Sequence, residues 1–177
     1  MRHVFTNREV PTVWLRQSQQ SGRGSNIFFE EATLYSYGKH FTIAKIATAK
    51  NGESVIFMTD ASNSMSTNKH IRFTRQAIRN TERRVVYCND PSATNETTSA
   101  FSTNLSAMKR EIGAVAVKHN KARKPELYAG TIMHLAQKAR IYCEVLQLKV
   151  PNWALIPDGI EAGKALTAAM KVHEDEN

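Results

Sequence analysis

Two histidines in this chain keep closely similar company, and together they offer its most direct acid–base chemistry. His40 lies in Leu34-Tyr35-Ser36-Tyr37-Gly38-Lys39-His40-Phe41, and His70 closes Ser66-Thr67-Asn68-Lys69-His70. Two imidazoles that titrate near neutrality can act as general acid and base in phosphodiester cleavage without a metal. Tyr35, Tyr37, Ser64 and Ser66 would supply hydroxyl groups beside them. A Mg²⁺ nuclease is not indicated, since Asp60 and Glu53 are the only acids near the two phrases and a carboxylate cluster is missing. Structural roles are the stronger competing interpretation: His40 as a strand-end residue bonding a backbone carbonyl, and His70 as a first-turn residue that closes a loop.

Binding is the second chemistry on offer. The chain carries 24 Lys and Arg against 16 Asp and Glu, a net charge of +8, which points to polyanionic partners. The excess is concentrated between Lys69 and Arg84, where six basic residues face Glu82 alone. Arg72, Arg75, Arg79 and Arg83 recur at helical spacing on the stripe opposite Ile71, Thr74 and Ile78. With Lys39 and Lys69 they make a candidate phosphate-contacting surface, on which Tyr35 or Tyr37 would stack exposed bases. Such contacts position a protein without reading sequence. A solvated basic face without a partner is the competing interpretation. Gly22-Arg23-Gly24 is a weaker candidate for hugging a phosphate backbone, against a plain surface loop.

The elements that must hold these residues can be read from the patterning. A short helix begins at Pro11, and the polar stretch 16–26 reads as a loop. Aromatic and β-branched runs predict strands at 27–30, 33–37, 41–49 and 54–59. In the second of these, Leu34 and Ser36 face one way while Thr33, Tyr35 and Tyr37 face the other. Lys50-Asn51-Gly52-Glu53 predicts a hairpin with a type I′ turn. The Ser- and Asn-rich stretch 62–68 would cap a helix over about 69–80, and 85–88 reads as a fifth strand. The expected α+β fold is therefore an antiparallel meander of four to five strands with one helix, its two His-bearing phrases meeting at one end of the sheet.

Beyond Pro91 the pattern becomes helical. Phe101, Leu105, Met108, Ile112 and Val115, then Tyr128, Ile132, Leu135, Ala139, Tyr142 and Leu146, alternate spacings of four and three. This predicts an antiparallel helical hairpin joined by the basic turn 119–124, with Pro125 opening its second helix and Pro151 ending it. A short last helix follows over about 158–172. The two regions, 1–90 and 91–177, are expected to pack as one unit. Cys88 and Cys143 match no zinc or redox spacing and read as buried free thiols, so neither metal nor cofactor is expected. No leader or membrane span of ~18 apolar residues is visible, which predicts a cytoplasmic protein of open oligomeric state.

Tyr35-Ser36-Tyr37-Gly38-Lys39-His40-Phe41-Thr42-Ile43-Ala44, followed by a strand pair, Met65-Ser66-Thr67-Asn68-Lys69-His70 and an Arg-bearing helix, resembles a family of small bacteriophage-encoded proteins of uncharacterised function. Met65-Ser66-Thr67 departs from that family's fuller run of threonines, and the C-terminal helices lie outside the match. The resemblance implies a phage or prophage origin and a host cytoplasm, without an activity. Three function classes follow: a sequence-tolerant nucleic-acid binder, a modulator that occludes a host protein, and a metal-independent His-pair phosphodiesterase.

Overall fold

A computed structural model of the chain describes residues 3–61, 63–94 and 98–156, without the side chains of 98–100. The chain divides into two compact units, Met1–Phe101 and Ser102–Asn177. In the first unit the order is α1 (Val10–Arg16), β1 (Ser21–Arg23), β2 (Ile27–Glu30), β3 (Thr33–Ser36), β4 (Gly38–Thr48), β5 (Ser54–Thr59), α2 (Met65–Ile78) and β6 (Arg84–Cys88).

The strands form one sheet in sequence order, β1 to β6, and this corrects the expected meander in two respects. First, the described sheet has six strands, because Ser21–Arg23, read as loop, pairs antiparallel with β2. An edge strand of Ser, Gly and Arg carries no apolar alternation for sequence reasoning to find. Its main chain is held on the outer side by the N-terminal segment, with Arg23 N–H donating to His3 at 2.9 Å and Phe5 N–H to Arg23 at 2.8 Å. Gly22 is demanded by packing, since a Cβ there would stand 2.6 Å from the Phe29 ring. Second, the sheet is mixed: β6 runs parallel to β5. The intervening α2 carries the chain back along the sheet, and a strand–helix–strand crossover delivers its second strand parallel to the first.

The predicted hairpin at Asn51-Gly52 is present between β4 and β5 with a different turn. Gly52 has φ +86, whereas Asn51 is not left-handed, and Gly52 N–H donates to Ala49 at 2.9 Å while Ala49 N–H donates to Glu53 at 2.8 Å. That is a three-residue loop with glycine at its left-handed position, in place of type I′.

One face of the sheet carries the core. Phe29, Leu34, Ala44 and Met58 stand in register across β2 to β5, and they cluster with Val10 and Trp14 of α1 and with Ile71 and Ile78 of α2. Trp14 is fully buried, and its indole N–H is satisfied by the Ala32 carbonyl at 2.9 Å. Helix α2 begins four residues earlier than expected, at Met65. Ser64 serves as N-cap, its Oγ accepting from Thr67 N–H at 3.4 Å.

In the second unit, α3 (Thr98–Lys121) and α4 (Glu126–Val145) form the expected hairpin. Asn104 Nδ2 donates to Tyr142 Oη at 3.1 Å, and Lys138 reaches Glu111 at 3.2 Å, a pairing order that fixes them as antiparallel. Met108, Ile112, Ile132, Leu135, Ala139, Tyr142 and Leu146 are buried, as the four-three spacing predicts, whereas Leu105, Val115 and Tyr128 of the same series are half-buried. Helix α4 stops well before Pro151. Gln147 takes a left-handed φ of +52, and Pro151 instead opens a single 3₁₀ turn, Asn152–Ala154. The expected helix at 158–172 lies outside the described residues.

Candidate nucleic-acid interface

The two His-bearing phrases do meet, through other atoms than expected. Ser36 Oγ and His70 Nδ1 share a hydrogen bond of 2.8 Å, and the Tyr37 ring lies 5.6 Å from the imidazole, centroid to centroid. Ser36 is 1% exposed and His70 3%, so the pair is sealed into the first unit where β3 meets α2. Burial, and secondarily the neighbouring Lys69 charge, hold the His70 pKa below its ordinary value. A buried neutral imidazole bonded to a buried hydroxyl is a tie between strand and helix.

His40 has a different setting. Strand β4 pairs Gly38 with Ser36 and Thr42 with Tyr35, which leaves residues 39–41 bulged out of the ladder. His40 is exposed on this bulge, and its ring folds over Gly38, where a Cβ would lie 2.7 Å from Nδ1. One exposed and one buried histidine do not make the open acid–base pair that the sequence suggested. Ser64 is occupied as the α2 cap, bonding Thr67 Oγ1 at 3.1 Å as well, and Ser66 is exposed. Sequence reasoning named four hydroxyls for this site and missed Ser36. The signal was available: alternation placed Ser36 beside Leu34 on the buried face, and a buried hydroxyl requires a partner.

The basic stripe divides into two parts. Lys69, Arg72, Arg75 and Arg79 are exposed, on or just beyond α2, whose opposite side buries Thr67, His70, Ile71, Thr74 and Ile78. No acidic residue lies in α2 to offset them. The Lys69 ammonium sits 5.9 Å from the Phe73 ring centroid. Across a groove of about 510 Å³ lined by Phe73 and Gln76, the α1 side adds two exposed cations, Arg8 and Arg16, and one exposed acid, Glu9. Arg83, by contrast, is not on this face: it donates from Nε to Ser54 Oγ and from Nη1 to the Leu15 carbonyl, both at 3.1 Å. Helical spacing could not anticipate this, because α2 ends at Ile78 and Arg83 lies in the turn before β6. Lys39 is also engaged, in a 2.5 Å ion pair with Glu30.

The tyrosines differ as well. Tyr35 stacks on Phe28 at 5.1 Å between centroids, an offset cross-strand pair that leaves it half-buried. Tyr37 is 53% exposed and holds a left-handed φ of +62 in the one-residue link between Ser36 and Gly38. For a tyrosine that conformation costs on the order of 1 kcal/mol, which the surrounding contacts sustain.

Among the described residues no three His, Cys, Asp or Glu side chains are grouped to hold a metal ion, and no helix is long and apolar enough to cross a membrane. Cys88 and Cys143 are buried and not joined in a disulfide, and burial pushes the Cys143 thiol up to about 11. No family model matches the chain, and neither a curated protein nor a solved structure matches it.

Proposed function

We propose that this protein binds nucleic acid through the outer face of α2, with little regard to sequence. The observation that carries this reading is the run of Lys69, Arg72, Arg75 and Arg79, all exposed and lacking any acid in the helix that bears most of them. Arg and Lys side chains spaced along one helix face meet successive phosphates, release condensed counterions and gain affinity without reading bases. On the far side of the groove Arg8 and Arg16 outnumber Glu9 and leave that rim net positive. A small accessory role of the kind suggested by the phage resemblance suits a protein of this size and charge.

Fluorescence anisotropy with a labelled oligonucleotide tests the reading. Four neutralised phosphates give log K against log[salt] a slope of about −3 on single strands and about −3.6 on duplex. Changing Arg72, Arg75 and Arg79 together to Glu should abolish binding and leave the fold intact, because these side chains point away from the core. Absence of binding by the unaltered protein at low salt would end the proposal. A stoichiometric host protein recovered from lysate after nuclease treatment would instead favour the modulator class.

A further inference from the structure

The first unit contains a cleft of about 880 Å³ lined by the N-terminal segment, the β1–β2 hairpin and Tyr37, within the size range of small-ligand sites. Its lining includes His3, Arg23, Asn26, Phe28 and Tyr37. Phe28, Tyr37, Arg23 and Asn26 along this lining are residue types that suit the parts of a nucleotide: aromatic surface for the base, a cation for the phosphate and an amide for polar base edges. We propose that this cleft takes one unstacked nucleobase of a single strand, its ring against Tyr37 and its phosphate on Arg23; the inference rests on the nucleic-acid reading above.

Three features favour this occupant. Tyr37 is exposed while its ring also packs on His70, so the cleft rim adjoins the turn of α2 that bears Lys69, and one strand can run from the cleft onto the basic face. The hairpin amides of Ser25 and Asn26 already donate to Asn7 Oδ1, at 2.8 and 3.3 Å, which leaves Arg23 as the cation that meets the phosphate. Glu30, the acid in the lining, is offset by its ion pair with Lys39. A base held in a duplex stack cannot enter, so the cleft adds affinity for single strands alone.

The test compares a labelled 12-nucleotide oligothymidylate with a 12-base-pair duplex for the unaltered protein, Tyr37→Gly and Arg23→Gln. Glycine suits the left-handed backbone at position 37, so this variant removes the ring without new strain. Tyr37→Gly should weaken oligothymidylate binding about tenfold, the loss of one stacked base, with duplex affinity and salt slope unchanged. Arg23→Gln should reduce the single-strand slope by about 0.7. Undiminished oligothymidylate binding by both variants, or equal losses on strand and duplex, would overturn the cleft assignment while the α2 reading stands. Failure of the unaltered protein to bind either oligonucleotide would overturn both.

Discussion

The contact between Ser36 and His70 gives the stability of the first unit a pH-dependent component, set by the imidazole. Its folded-state pKa lies below that of an unfolded histidine, so the unfolded chain binds the extra proton first as pH falls. The pair's contribution is therefore complete above the unfolded value of about 6.5 and is lost as pH drops through the lower folded value. The melting temperature should fall between pH 7 and pH 5, and His70→Leu should flatten that part of the profile. Ser36→Ala leaves Nδ1 buried and unbonded, at a cost of about 1–3 kcal/mol. Because replacing both partners by apolar groups is far less costly than stranding one, Ser36→Ala combined with His70→Leu should be more stable than the two single losses add up to. Additive losses in urea unfolding would show that the two side chains contribute independently.

Arg83 shows, at the scale of elements, where sequence periodicity stops being informative. It continues the Arg72, Arg75, Arg79 spacing, yet its guanidinium bonds Leu15 in α1 and Ser54 in β5 across sequence separations that no local pattern reports. Arg83→Met should lower stability by about 1–3 kcal/mol and leave the salt slope of binding unchanged, whereas Arg75→Met should do the reverse. Paired thermal melts and salt titrations separate the two arginines. Elements with strong apolar patterns were legible: β2 to β5, the buried face of α2, and both helices of the second unit. Edge strand β1 was not, since its pairing rests on main-chain bonds, and β6 was legible as a strand at 85–88 but not as a parallel one, because pattern gives a strand's existence without its direction. The same patterning argues that Ile112→Asp or Leu135→Asp will unfold the second unit, as each places a charge at a fully or largely buried position without a partner. Unchanged circular dichroism and melting in either variant would count against that core.

Across the whole molecule, the question is whether binding follows net charge or the place where charge is presented. At +8, a basic protein attracts polyanions at long range through its summed field, and a loss on charge reversal does not by itself locate a site. The second unit supplies a matched control. Lys121 at the end of α3 and Arg123 and Lys124 in the turn before α4 are exposed, and reversing them to Glu gives the same net charge of +2 as reversing Arg72, Arg75 and Arg79. Long-range attraction is screened beyond about 8 Å at physiological ionic strength, whereas phosphate contacts persist there with their own slope. At 150 mM salt, the α2 reversal should therefore eliminate binding, while the turn reversal should retain affinity within a few-fold and keep a slope near −3 on single strands. Equal losses in the two triple variants would mean that the charge of the chain as a whole, and not the α2 face, recruits the polyanion.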